Sequence, residues 1–253
     1  IFDSSIQSGD FLIPSNNSRT HFFSKSSFKT EFDYFNFSEF NLELQFSSND
    51  NYLKYNNLSS PIINSQTTLS SKLDFNATSD DLDILISAET FEDLTEEKDS
   101  DKYEFVYPNY SLSKLFNLDN RYFDNYEVIS SGNQKKYSTN IYEVSQVNDI
   151  LISSNQFILG DIFETNFRSL FKNVNTKGKN SDTYKNKTQS EILSNFLYDI
   201  SLPLKKTEAK YTKFLTPKFS LRHSPNKTKN IQDLDRQLNI DNIFSLNRIG
   251  TND

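Results

Sequence analysis

The chain has 253 residues, a net charge of −7, 35% hydrophobic residues and no Cys, Met or Trp. The lack of cysteine excludes disulfides, thiolate metal sites and a cysteine nucleophile within this stretch, and the acidic balance argues against a nucleic-acid partner, which selects a basic face. No apolar run approaches the roughly 18 residues of a membrane-crossing helix; the apolar content sits instead in rings, 23 Phe and 13 Tyr, which argues against disorder of the whole chain.

The chain begins at Ile1 without a secretory leader and stops at Asp253 with no terminal element, so an internal fragment of a longer protein is expected. Strands are expected over 20–35 and 36–52. In the second, Phe40, Leu42, Leu44 and Phe46 alternate with Asn41, Glu43 and Gln45, and only a strand puts every second side chain on one face. Ser47-Ser48-Asn49-Asp50 ends or bends it. Alternation returns at Leu69, Leu73, Phe75 and Ala77, against Thr68, Lys72, Asp74 and Asn76, and again at Leu82, Ile84, Ile86 and Ala88. The turn formers Thr78-Ser79-Asp80-Asp81 lie between, so 68–89 reads as one antiparallel hairpin. The densest acidic stretch, 92–101, matches no calcium loop and is expected to be a solvated connection.

Further along, strands are expected at 103–116, 121–131, 136–147 and 156–173, with Ser131-Gly132-Asn133-Gln134 as a turn. Residues 173–187 read as a long polar loop. Ile192, Phe196, Tyr198, Ile200, Leu202 and Leu204 form a strand face that extends further than the competing helical stripe of Ile192, Leu193, Phe196, Leu197 and Ile200. A last one-sided strand covers 211–221, ended by Ser224-Pro225-Asn226. The expected fold is therefore all-β, an antiparallel meander of roughly 10–12 strands.

Period-two patterning fits two architectures. In a soluble sandwich the alternating face packs on a second sheet; in an outer-membrane barrel it meets lipid while the polar face lines a wet lumen. Strand lengths near nine to eleven residues and aromatics clustered near strand ends favour the barrel. The two histidines, His21 and His223, sit in no catalytic or metal motif, so no enzyme activity, metal or other cofactor is expected.

The end of the chain is more specific. Asp241, Asn242, Ile243, Phe244, Asn247, Arg248, Gly250 and Asp253 occur in an order that resembles the barrel motif of the lipopolysaccharide-assembly outer-membrane protein, the LptD (OstA, Imp) family. Four other segments are similar to family strands: Ser47-Ser48-Asn49-Asp50-Asn51-Tyr52-Leu53-Lys54-Tyr55, Phe105-Val106-Tyr107-Pro108-Asn109-Tyr110-Ser111-Leu112, Leu202-Pro203-Leu204 and Leu215-Thr216-Pro217. The likeness covers nearly the whole chain and is strongest to the alphaproteobacterial branch. It implies that residues 1–253 are part of a large transmembrane barrel in the outer membrane of a Gram-negative bacterium. The family's N-terminal jelly roll, first strands, closing strands and cysteines have no counterpart here. It further implies a translocon that inserts lipopolysaccharide into the outer leaflet, with lipopolysaccharide, outer-membrane lipid, an LptE-type lipoprotein plug and periplasmic lipopolysaccharide-bridge proteins as partners. A porin or receptor barrel and a soluble β-sandwich binding module are the alternatives. On the barrel reading the lipid-facing residues are Phe40, Leu42, Leu44, Phe46, Leu69, Leu73, Phe75, Leu82, Ile84, Ile86, Phe196, Tyr198, Ile200 and Leu202.

Overall fold

Alternation governs the chain wherever it can be followed. The computed structural model describes residues 1–8, 18–208, 210–225 and 245–246. In chain order the strands are β1 (Phe2–Ser8), β2 (Ser18–Lys29), β3 (Phe37–Ser47), β4 (Thr68–Thr78), β5 (Leu82–Asp93), β6 (Tyr103–Asn117), β7 (Phe123–Tyr137), β8 (Tyr142–Ser154), β9 (Phe157–Leu159), β10 (Phe163–Lys179), β11 (Gln189–Ser201), β12 (Leu204–Thr207), β13 (Thr212–Leu215) and β14 (Lys218–His223). Two four-residue helices, α1 (Tyr52–Tyr55) and α2 (Asp99–Lys102), lie in connections.

Twelve strands form one sheet in the order β1-β2-β3-β4-β5-β6-β7-β8-β10-β11-β14, with β9 added onto β10; β12 and β13 make a separate two-stranded sheet. The expected all-β meander is what the chain adopts. Among the described residues β1 and β14 each have one neighbour and end the path.

Several boundaries differ from the sequence expectation. The strand expected over 20–35 ends at Lys29, that over 136–147 lies at Tyr142–Ser154, and that over 156–173 is the short β9 followed by β10 from Phe163. Three further differences have a visible local cause. The turn expected at 131–134 is strand: β7 runs through it, and the reversal falls at 138–141. Gly132 is there for close approach rather than for turning. A Cβ at this position would stand 2.9 Å from Cε1 of Tyr110 and 2.8 Å from the Ser145 carbonyl oxygen, so a side chain would displace the ring that crosses it. The loop expected at 173–187 is strand as far as Lys179, because polar partners replace apolar ones: Asn173 Nδ2 donates to Ser190 Oγ at 3.2 Å and to the Glu191 carbonyl at 3.3 Å. Beyond it, Gly178 lets the returning chain close tightly, with its N–H donating to the Lys185 carbonyl at 2.8 Å. Finally, the strand expected across Pro203 stops at Ser201, and the one expected over 211–221 is split at Thr216-Pro217, since proline has no N–H for a ladder.

The residues fall into two compact units. The first comprises Ile1–Leu112, Ser131–Gln146 and Asn175–Gln189; the second comprises Ser113–Ser130, Val147–Val174 and Ser190–Asp253. In the first, the largest buried cluster is Phe23, Tyr52, Leu53, Ile62, Leu69 and Leu94, under the segment that joins β3 to β4. In the second, Leu170, Leu197 and Leu246 pack together with Leu151 against them.

Candidate functional site

The candidate site is a sheet surface, not a cleft. In the first unit the register of β2, β3, β4 and β5 stacks like on like. Phe28, Phe40, Phe75 and Ile86 stand directly opposite one another across the four strands, and Ser26, Leu42, Leu73 and Ala88 form the next row on the same face. One residue along each strand, Ser27, Asn41, Asp74 and Ser87 form a polar row on the other face, followed by Lys25, Glu43, Lys72 and Glu89 with alternating charge. Lys25 Nζ lies 3.1 Å from Glu43, and Lys72 Nζ lies 3.4 Å from both Asp74 and Glu89. Asn41 Nδ2 donates to Asp74 at 3.0 Å. Cross-strand pairs of this kind contribute roughly 0.2–1 kcal/mol each, so both faces help to set the register.

At several positions exposure runs opposite to that of an ordinary soluble sheet, while Lys25 and Leu85 of the polar face are open and Ala77 of the apolar face is buried. On the apolar face Phe40 is 39% exposed, Phe46 53%, Leu73 52% and Ile86 45%, while on the polar face Gln45 is 7% exposed and Ser87 4%. A water-soluble sheet buries its apolar face and wets the other. The apolar face carries a hollow of about 460 Å³ lined by Phe40, Leu73, Phe75, Ile86, Tyr107 and Pro108 among others. The polar face carries one of about 380 Å³ lined by Glu89, Phe91, Glu104, Val106, Asn109 and Lys135, with Asn133.

The sequence-nominated residues divide as follows. Phe40, Leu44, Phe46, Leu73 and Ile86 are exposed, and Leu42, Phe75, Leu82 and Ile84 half-buried. Leu69 is corrected: at 1% exposure it belongs to the buried cluster with Phe23 and Leu53. The reason is local. The recorded β3–β4 pairing ends at Glu43↔Lys72. There the Gln45 N–H donates to Ser71 Oγ, and the Ser70 N–H donates to Gln45 Oε1, each at 3.0 Å. Past that interruption the segment around α1 folds over Leu69. Phe22 and Phe28, exposed on the apolar face, were missed in sequence because Ser24 and Ser26 stand between them and dilute the alternation.

A second set of contacts fastens the same corner. Lys102 Nζ bonds Asp50 at 2.6 Å and Glu92 at 3.1 Å, and the Tyr103 hydroxyl donates to Glu92 at 3.0 Å. Burial opposes the Lys102 charge, but the hydrogen bonds and negative charges of Asp50 and Glu92 outweigh it and hold the ammonium above its ordinary value. His21, buried and stacked on Phe23, has Nδ1 3.0 Å from Ser5 Oγ and Nε2 3.4 Å from Asp3; Ser5 Oγ lies 2.7 Å from the Tyr52 hydroxyl. This network joins β1, β2 and α1. Within the acidic stretch, Asp93 accepts from the Thr95 N–H at 2.9 Å and its hydroxyl at 2.7 Å. Among the described residues no group of three or more His, Asp or Glu side chains is placed to hold a metal ion.

In the second unit β11 is two-faced in the same sense. Ile192 and Tyr198 are exposed and Phe196 and Ile200 half-buried, while Asn195, Leu197 and Asp199 are buried on the opposite side. Leu202 is half-buried just past the strand end. Phe167 and Phe171 of β10 meet Phe196 at ring-centroid distances of 6.2 and 5.8 Å. The buried side is charged: Asp199 accepts from Arg168 at 2.9 Å, lies 3.2 Å from Lys218 Nζ and is bonded by Ser220 Oγ, and Lys172 Nζ reaches Asp149 at 2.8 Å. The motif residues Asp241, Asn242, Phe244, Asn247, Arg248, Gly250 and Asp253, with Ile243, lie outside the described residues.

Among the described residues no helix is long and apolar enough to cross a membrane. No known protein-family model matches the chain, and no characterised protein matches it in sequence.

Proposed function

We propose that the chain is a wall segment of an outer-membrane β-barrel of the lipopolysaccharide-assembly type. The observation that carries the reading is the open apolar face of the β2–β5 sheet, with rings and branched aliphatics exposed on one side and ion pairs, with buried Gln45 and Ser87, on the other. Hydrocarbon accepts the first and a wet lumen the second. β3, β4 and β5 have 11, 11 and 12 residues, long enough for tilted strands to cross a bilayer, and their ladders satisfy the backbone groups that lipid cannot.

On this reading the protein makes and breaks no bond. The charged rows offer a polar track for the sugar and phosphate portion of an amphipathic glycolipid, and release into the outer leaflet belongs to parts of the barrel beyond this segment. Lipopolysaccharide, outer-membrane lipid, an LptE-type lipoprotein and periplasmic bridge proteins are the partners, and the outer membrane of a Gram-negative bacterium is the location. The choice of lipopolysaccharide assembly over a porin or receptor rests on the ordered motif resemblance.

The chain has no tryptophan, so single probes are clean. In vesicles containing brominated phosphatidylcholine, Phe40→Trp is expected to be quenched strongly and Asn41→Trp weakly. Equal quenching at the two positions overturns the wall assignment. A photo-crosslinker at Asn41 that captures lipopolysaccharide separates a translocon from a porin.

A further inference from the structure

The β11–β14 ladder of the second unit continues into the β12–β13 hairpin without a slip in register. Ser201 faces Lys218, and three residues further along each strand Leu204 faces Leu215, with the Leu202 N–H donating to the Pro217 carbonyl at 3.0 Å between them. One face of this ladder therefore reads Phe196 and His223, Tyr198 and Leu221, Ile200 and Phe219, Leu202 and Pro217, Leu204 and Leu215, then Lys206 and Lys213. The step from apolar to doubly cationic takes one repeat.

Like charges directly opposite on a sheet are destabilising, yet Lys206 and Lys213 are a direct cross-strand pair. Their partners within the hairpin are few. Lys206 Nζ lies 3.0 Å from Glu208, and Lys213 Nζ lies 4.7 Å from the Tyr211 ring centre. The Tyr211 hydroxyl also bonds Glu208. Residues 204–215 hold four lysines against one carboxylate, in a chain whose net charge is −7. Lys205 is different: it faces Phe214 on the opposite side, its Nζ 5.8 Å from the ring centre.

We propose that Lys206 and Lys213 bind the phosphate of an anionic phospholipid headgroup, seated where the apolar face of the β11–β14 ladder ends. The inference rests on the wall reading proposed above, extended to the β11–β14 face, where Ile192, Tyr198, Phe219 and Leu221 are likewise exposed. Charge complementarity names the occupant. The apolar stretch from Phe196 to Leu204, about nine residues, matches the length of a tilted membrane strand, so its end coincides with the headgroup layer. A tyrosine beside two lysines is the side-chain chemistry of that layer.

The test uses the full chain, which has no native cysteine. Leu215→Cys is labelled with bimane and the chain inserted into phosphatidylcholine vesicles that hold a small fraction of 5-doxyl phosphatidylglycerol or 5-doxyl phosphatidylcholine. Quenching by the phosphatidylglycerol form is expected to exceed that by the phosphatidylcholine form about fivefold per lysine at low salt, and molar salt should remove most of the excess. K206Q/K213Q should abolish the preference, while K206R/K213R and the opposite-face variant K205Q should keep it. A preference unchanged in K206Q/K213Q, or lost equally in K205Q, overturns the site. Equal quenching by both lipids overturns the site and leaves the wall assignment standing; no quenching by either overturns both.

Discussion

Among the described residues four non-glycine residues hold left-handed backbone, and three of them are asparagines: Asn57, Asn140 and Asn180 with φ of 45°, 64° and 54°, beside Asp161 at 62°. Part of the asparagine excess is thus put to use in turns, where a short polar side chain tolerates this conformation. At single positions the sharpest test of the two faces lies on β3. Leu42→Arg is expected to lower stability by roughly 2–4 kcal/mol if the position is near the bilayer midplane. Asn41→Arg places its charge beside the carboxylates of Asp74 and Glu39, 3.0 and 3.5 Å from the present amide nitrogen, and should unfold like the parent. Urea titration in vesicles reads both; equal losses would remove the distinction between the faces.

Among the elements, those with unbroken alternation were legible in sequence. β3, the β4–β5 hairpin and β6 fall close to their expected bounds, and β11 is strand rather than helix. The misses have identifiable causes. Gly132 resembles turn chemistry until the Tyr110 ring is seen across it, and the polar end of β10 is held by side-chain amides that period-two patterning does not register. Leu69 shows the limit for the site, since it keeps phase with Leu73 and Phe75 across Ser71 and only the fold of residues 52–66 buries it. The charged clasp under that segment makes its own prediction. Lys102→Met leaves Glu92 and Asp50 without their cation and is expected to cost about 1–3 kcal/mol at neutral pH. Because the folded-state value of Lys102 is raised, its contribution is fully present below the ordinary lysine value of about 10.4. It is lost only as pH climbs through the higher folded value. The melting difference between Lys102→Met and the parent in detergent should therefore persist to about pH 10.4 and close above it. The β11–β12 and β13–β14 joints hold another. Pro203 and Pro217 remove two donors at adjacent levels of the ladder, leaving the Leu202–Pro217 bond to bridge it. Amides of 204–215 should exchange hydrogen well before those of β11; a single common rate would contradict a joint there.

At the scale of the whole molecule, fold class was readable because patterning repeats over a dozen strands, whereas the medium that each face meets was not, since a period of two is the same in oil and in a protein core. Exposure supports the proposed wall reading: a closed sandwich would cover Phe40, Leu73 and Ile86, and here they stand open. On the proposed wall reading, that arrangement carries a cost before the chain meets a bilayer. Strands with bare rings on one side, and edges at β1 and β14 that have one neighbour among the described residues, attract other copies of themselves in water. Such a polypeptide travels safely through an aqueous compartment only while another molecule keeps it apart from its siblings. If the chain is the proposed wall segment, zippering and immersion have to proceed together, because a sheet completed beforehand would have nowhere to hide its rings.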